Sequence, residues 1–273
     1  MRILLTLQTK NKDMIICFSG TGNTARAARM LGALLGETDV RMLAGEELLN
    51  PCSSTVDTAD VRVIWAFPTY SWGVPPVVAR YIAEVQAGAG MAKARHYMLT
   101  TCGDDMGYTD RQWRRLIGRR AWVAAAAYAV VMPNTYVTMK GFDVDEPKLS
   151  ERKIADATPK IKEIAALIAS ESHADVTVRG AFPWVKSKVI YPWFMRFEMS
   201  PRPFHSTEDC IGCGLCERSC PMCNIRLSNG RPEWGGECAL CLRCYHICPR
   251  RAVAYGRTTN GKGQWQGSLK FIE

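Results

Sequence analysis

The chain has 273 residues, a mass of 30.4 kDa, 47% hydrophobic and 22% charged residues, 12 cysteines and a formal net charge of +9. That composition excludes a disordered or collagen-like chain, and the length suits one or two domains. The basic balance raises nucleic acid, an anionic membrane surface or an acidic partner, and the cysteines raise disulfides or metal.

The elements are predicted in chain order. Residues 1–13 hold few apolar residues before Lys10, Lys12 and Asp13, with no small-residue cleavage site, so no export signal is expected. Met14 to Phe18 reads as a strand ending in Ser-Gly-Thr-Gly-Asn-Thr, followed by a helix from Ala25 to Leu35 with Gly36 as its stop. Val61 to Phe67 is the next strand, closed by Pro68, and Val77 to Val85 a helix. Tyr97 to Thr101 is a strand. Thr109 to Ile117 is a helix carrying or adjoining Arg111, Arg114, Arg115, Arg119 and Arg120. Trp122 to Met132 is a long strand, and Pro147 to Ser170 a helix with Ile154, Ile161, Ile164, Ala165 and Ile168 at helical spacing. Alternating strands and helices imply a doubly wound parallel sheet covered on both faces. The longest apolar run, Ala121 to Met132, has 12 residues, short of the roughly 20 that span a bilayer. No transmembrane segment is expected.

Residues 173–205 are rich in aromatics and prolines and read as an irregular connector whose aromatics pack between two domains. The alternative is a membrane-surface or partner contact through Trp184, Trp193, Lys186 and Lys188. The expected domains are residues 1–172, the connector 173–205 and a cysteine-rich unit 206–273.

Nine of the 12 cysteines fall in that last unit, which contains a repeat. One copy holds Cys210, Cys213, Cys216 and Cys220 before Pro221; the other holds Cys238, Cys241, Cys244 and Cys248 before Pro249. Both read C-x2-C-x2-C-x3-C-P. At this spacing three thiolates hold one cubane and the fourth ligates the other cluster. The expected sets are therefore Cys210, Cys213, Cys216 and Cys248 for one [4Fe-4S] cluster, and Cys238, Cys241, Cys244 and Cys220 for the other. Gly212 and Gly214 leave room for amides to approach sulfur. Zinc is the alternative, but zinc sites favour two separated ligand pairs and often a histidine. Clustered cysteines without an export signal point to a reducing, cytoplasmic setting. This unit resembles bacterial-type two-cluster ferredoxins. Cys223 is surplus, read as a small buried residue or an extra thiol near a cluster; Cys17, Cys52 and Cys102 read as core or loop residues.

Ser19, Gly20, Thr21, Gly22, Asn23 and Thr24 lie between a strand and a helix, where hydroxyls and amides converge on an anion site sized for a phosphate. The loop lacks the lysine of a nucleotide P-loop and the spacing of a dinucleotide fingerprint. It resembles the FMN phosphate loop of flavodoxins. Two later loops agree with that resemblance. Pro68, Thr69, Tyr70, Ser71, Trp72 and Gly73 look like the loop that lays an aromatic on one flavin face, with Trp72 competing with Tyr70. Thr101, Cys102, Gly103, Asp104 and the residues to Tyr108 look like the loop whose tyrosine stacks on the other. The whole chain resembles the flavodoxin–ferredoxin fusion proteins of the EFR1 family, including a tail from Val253 to Trp265. In that family's terms residues 1–13 precede the usual start, and Met14 is a candidate initiator.

The resemblance implies a flavodoxin-like α/β domain with strand order 2-1-3-4-5, then a small α+β ferredoxin domain. It implies FMN and two [4Fe-4S] clusters, in an electron-transfer protein that serves a low-potential ferredoxin, a partner reductase or a small acceptor. The alternative is a stand-alone flavin-dependent reductase with its own small-molecule substrate. His96, His173, His205 and His246 read as structural. Nucleic-acid binding through the arginine-rich helix is a third reading, but no nucleic-acid motif accompanies it. Two clusters and a flavin phosphate would remove most of the positive surplus.

Overall fold

The anticipated alternation closes into one five-stranded parallel sheet. A computed structural model of the chain describes residues 13–36, 38–58 and 62–272. The expectations for residues 1–12 and for a strand start at Val61 lie outside the described residues. The strands are β1 (Met14–Cys17), β2 (Val40–Met42), β3 (Arg62–Pro68), β4 (Arg95–Cys102) and β5 (Val123–Val131). Their spatial order is β2-β1-β3-β4-β5, and every neighbouring pair is parallel. This is the flavodoxin-like order, with its reversal between β1 and β3. The edge strand β2 had no counterpart among the predicted strands, because its three half-buried residues carry no readable alternation.

Successive strand residues point to opposite faces. Ile15, Cys17, Ile64, Ala66, Tyr97 and Leu99 face α1 (Asn23–Leu34) and α4 (Pro147–Ala169). Ile16, Phe18, Trp65, Phe67 and Met98 join the opposite core, with α2 (Pro76–Glu84) and α3 (Thr109–Arg119). The loops leaving β1, β3 and β4 thus emerge together at the carboxyl edge.

The connector departs from expectation. Residues 183–197 are helical, built from Pro183–Val185, a wide-turned Lys186–Ile190 and Tyr191–Phe197. Pro192 has no N–H to donate, and a widened turn just before it is one way a helix accommodates that loss. The run is pinned across the sheet's carboxyl edge. The Ser187 hydroxyl accepts from the Tyr108 N–H at 2.8 Å and donates to the Trp72 carbonyl at 2.9 Å. Tyr191 Oη donates to the Val74 carbonyl at 2.7 Å. Of its aromatics only Phe194 is fully buried, while Phe182, Trp184, Trp193 and Phe197 stay exposed. The expectation that the connector's aromatics pack between domains is therefore corrected for these four, whereas Phe194 and Phe204 are buried and Tyr191 is half-buried.

The cysteine-rich unit pairs β6 (Phe204–Ser206) with β9 (Val253–Tyr255) and forms a hairpin of β7 (Ile225–Ser228) and β8 (Arg231–Trp234), all antiparallel. A short helical segment lies within each cysteine run, Leu215–Arg218 and Arg243–Ile247. Met222 and Ala239 belong to the same buried cluster as Phe18 and Trp65, so this unit packs into the α/β core.

Candidate functional site

The eight repeat cysteines surround two separate cavities. One is lined by Cys210, Cys213, Cys216 and Cys248, the other by Cys220, Cys238, Cys241 and Cys244. These are the crossed sets expected from the spacing. Equivalent amides point at equivalent sulfurs: Asn224 N–H to Cys220 Sγ at 3.4 Å, and Ala252 N–H to Cys248 Sγ at 3.3 Å. Among the described residues no three His, Cys, Asp or Glu side chains converge on a single-ion site. Four cysteine sulfurs around each cavity are the donor set of a cubane, in which each thiolate binds a different iron. The two rings differ in exposure: Cys213 is exposed, whereas Cys244 is buried. Burial pushes the Cys238 thiol up to about 12 and raises Cys241 and Cys244 as well. Cluster assembly must displace those protons.

The backbone repeats as closely as the cysteines. Gly212 and Gly214 have φ of 66° and 72°, and their counterparts Leu240 and Leu242 hold φ of 49° and 60°. A left-handed leucine costs on the order of 1 kcal/mol or more. The ligand loop imposes this conformation even where the residue opposes it.

At the switch point, a cavity of about 500 Å³ opens between the three loops, the connector and the second ligand loop. That volume lies within the range of small-molecule and cofactor sites. Ser19, Gly20, Thr21, Asn23, Thr24, Pro68, Thr69, Tyr70, Ser71, Trp72, Thr101, Cys102, Gly103 and Asp104 line it. The backbone N–H groups of Gly20, Thr21, Gly22, Asn23 and Thr24 have no hydrogen-bond partner among the described residues. Unpaired amides at a helix N-terminus suit an anion. The side chains are more committed. Thr24 Oγ1 lies 2.7 Å from Thr101 Oγ1, and Asn23 donates to the Pro133 carbonyl at 2.9 Å while accepting from Trp265 Nε1 at 3.0 Å. An anion here would therefore be held mainly by backbone amides.

Three expected residues fall outside this lining. Gly22 (φ 93°) is covered by the tail, and a Cβ there would lie 1.8 Å from the Ser268 carbonyl oxygen. Gly73 is covered by the Tyr191 ring. Tyr108 is displaced from the stacking position expected of it. Its ring lies 3.8 Å from the Arg111 guanidinium and 5.3 Å from that of Arg179, which makes a two-pronged ion pair with Asp110. The cation contacts engage the Tyr108 ring, and its N–H is held by Ser187. The connector adds Lys186, Ile190, Trp193 and Phe194 to the lining, and lining residues missed in the sequence include Asn134, Tyr136 and Phe142, from the segment after β5, which carried no motif.

The two kinds of cavity meet at Cys241 and Leu242. Cys241 lines both the second cysteine ring and the 500 Å³ cavity. A Cβ on Gly20 would lie 2.5 Å from the Cys241 carbonyl oxygen, so only a glycine allows this approach. Buried Arg243 joins the same pieces: it donates to the carbonyls of Ser19, Gly20 (2.9 Å) and Ser219 (2.9 Å). No carboxylate lies within ion-pair reach of it among the described residues. In a trans peptide the N–H opposes the C=O. The carbonyls turned toward Arg243 therefore aim the N–H groups of Gly20 and Thr21 away from it. Tyr70 Oη is buried without a hydrogen-bond partner among the described residues, and the thiols of Cys241 and Cys238 are its charged neighbours when ionised.

Other expectations resolve simply. Cys17 and Cys102 are buried, which pushes both thiols up to about 12, and Cys52 is exposed. Cys223 is exposed rather than buried, at a left-handed φ of 48°. His96 and His246 are buried, and burial lowers both to about 4. Each ring accepts one N–H and faces one carbonyl, the pattern of a neutral structural histidine. The arginine-rich helix is only partly a solvated face. Arg114 binds Asp175 and the Ala124 carbonyl, and Arg120 caps the carbonyls of Ile82, Ala83 and Val85.

Comparison with known proteins agrees with this layout. Residues 209–253 match the family described as a 4Fe-4S dicluster domain. An uncharacterized protein of Methanocaldococcus jannaschii is 36% identical over 50 residues, which span 18% of this chain and 19% of that protein. A Streptococcus pneumoniae flavodoxin superposes with a TM-score of 0.37 at 15% identity, covering 58% of this chain and 98% of that one. An FMN-dependent NADH-azoreductase of Bacillus anthracis gives 0.36 at 10% identity, covering 58% and 100%. At such scores the fold rests on the strand order alone. No helix among the described residues is long and apolar enough to cross a membrane. Taken together, the chain joins a flavodoxin-like α/β fold to a 4Fe-4S dicluster-type segment.

Proposed function

We propose that the protein is an electron-transfer flavo-iron-sulfur protein. It passes electrons between two [4Fe-4S] clusters and FMN, and supplies reducing equivalents to a partner reductase or a small acceptor. The observation that carries this reading is the shared position of Cys241 on a cysteine ring and on the switch-point cavity. The ring of Cys220, Cys238, Cys241 and Cys244 is then proximal to the flavin. The ring of Cys210, Cys213, Cys216 and Cys248, with exposed Cys213, faces the donor. When bound, the clusters supply one-electron chemistry and the flavin exchanges it for two-electron chemistry. The chain's own residues hold those groups close and exclude water between them. Gly20 admits Cys241 to the phosphate loop, Leu240 and Leu242 fill the space beside it, and Arg243 fastens the two loops together.

The test is anaerobic purification with iron and flavin analysis, then rapid-mixing reduction by a low-potential donor. About eight irons and one FMN are expected, as two cubanes require, with cluster bleaching preceding flavin bleaching. Zinc in place of iron, or a protein without flavin, would overturn the reading. A second reading, a reductase with its own substrate, draws on the same cavity. Its walls include Tyr136, Phe142, Trp193 and Phe194, which lie beyond the three loops and leave room for a small acceptor. Turnover of a small acceptor without added partner protein would favour that reading.

A further inference from the structure

The helical run 183–197 has an outer surface unlike the rest of the molecule. Ten large hydrophobic side chains are strongly exposed among the described residues, and Phe182, Trp184, Val185, Val189, Trp193 and Phe197 are six of them. Phe182 is 78% exposed, Phe197 63% and Trp184 60%. Spacings of three and four residues from Phe182 through Val185, Val189 and Trp193 to Phe197 keep most of these on one side of a helix. Trp193 and Phe197 touch, with ring centroids 6.1 Å apart. Monomeric soluble proteins seldom leave so continuous an apolar surface open to water without using it.

The charges interleaved with these residues have one sign. Lys188 and Arg196 are exposed, and neither has an ion-pair partner among the described residues. No acidic residue occurs from 176 to 197. The third cation, Lys186, is turned inward onto Asp105 at 2.6 Å. Exposed tryptophan and phenylalanine interleaved with cations, with the first carboxylate, Glu198, only at the end of the run, is the composition of a helix that lies in a membrane interface, with long basic side chains reaching the headgroups. A dimer surface would need a counterpart for Lys188 and Arg196, and the run itself offers none.

The geometry points to an anionic lipid surface as the occupant of this face: residues 182–197 form an interfacial anchor that seats the protein on a negatively charged bilayer. This goes beyond the redox reading and stands independently of it. It also has a consequence for the site, because the inner side of the same run, through Lys186, Ile190 and Phe194, walls the 500 Å³ cavity, and Trp193 belongs to both sides. The anchor would hold that wall at the bilayer.

The test is flotation of the full-length, cofactor-loaded protein with vesicles of phosphatidylcholine alone or mixed with phosphatidylglycerol. Two cations acting at an anionic surface should raise binding about 30-fold over neutral vesicles, at about fivefold per cation. Added salt should reduce the difference. Trp184→Ser with Phe197→Ser should abolish binding to both vesicle types. Lys188→Glu with Arg196→Glu should abolish the preference for anionic lipid. All four residues are exposed, so cofactor content should not change, and iron and flavin analysis of each variant checks this. Absence of binding by the loaded wild-type protein, or binding unchanged in both variants, would overturn the proposal. So would a concentration-dependent dimer that Trp184→Ser with Phe197→Ser dissolves, since a second copy would then be the occupant. A monomer that ignores both vesicles would equally overturn it, leaving the face to a protein partner.

Discussion

Arg243 shows how much one buried side chain can determine. A guanidinium taken out of water without a carboxylate is costly unless an anion is supplied from elsewhere. Its three carbonyl contacts satisfy N–H groups but do not cancel its charge. A cluster in the Cys241 ring and a flavin phosphate on the loop at Gly20, the two anions that the proposed function would supply, would flank it. Arg243→Met should therefore weaken FMN binding by about tenfold, a loss of about 1.4 kcal/mol. Riboflavin, which lacks the phosphate, should bind almost as before. Fluorescence titration of both flavins checks this, and equal losses would make Arg243 a packing residue only. His96 offers a second measurement. Its folded value of about 4 lies below the unfolded value of about 6.5. Below pH 6.5 the unfolded chain takes up a proton that the folded chain refuses, so stability present above pH 6.5 is lost as the pH falls toward 4. Between pH 7 and pH 5 the wild type should lose about 2 kcal/mol more than His96→Gln in urea unfolding. Parallel pH profiles for the two proteins would show that the ring does not titrate this way.

At the scale of elements, the two ligand loops share one backbone but differ in what supports it. Gly212 adopts its left-handed turn without a side chain, against a wall made by the Gly230 carbonyl. Leu240 holds the equivalent turn and contributes its side chain to the buried core of the unit. Gly212→Ala adds strain of about 1 kcal/mol or more and places a Cβ 2.7 Å from that carbonyl oxygen. The expected result is loss of the distal cluster alone, with iron falling from about eight to about four per chain. Gly214→Ala should be milder, because its nearest obstacle is the movable end of Arg218. Four of the five sheet strands were legible because buried parallel strands are continuous apolar runs. The connector was not, since prolines and aromatics obscure helical periodicity.

On the scale of the whole molecule, function depends on how closely the two halves approach. Gly20 is the contact point, and its Cβ would strike the Cys241 carbonyl. Gly20→Ala should keep its iron and, at raised concentration, its flavin, but widen the gap between them. Electron transfer slows as the gap widens, so flavin reduction in rapid mixing should fall below the wild-type rate. Unchanged kinetics in a fully loaded variant would remove Gly20 from the path.

The sequence by itself determined the chemistry of the parts. Two C-x2-C-x2-C-x3-C-P runs announced crossed cysteine sets, because ligand spacing is local and covalently enforced. The alternation of apolar segments announced a doubly wound sheet, and the glycine-rich turn after β1 announced an anion site. Only the tertiary structure decided which parts touch. It placed Cys241 against Gly20, drew Arg243 between the two loops, moved Tyr108 away to its arginines and turned the connector's aromatics outward. Each of those depends on packing between residues far apart in the chain. Such contacts are chosen by the shape and charge of whole surfaces, which no local pattern records.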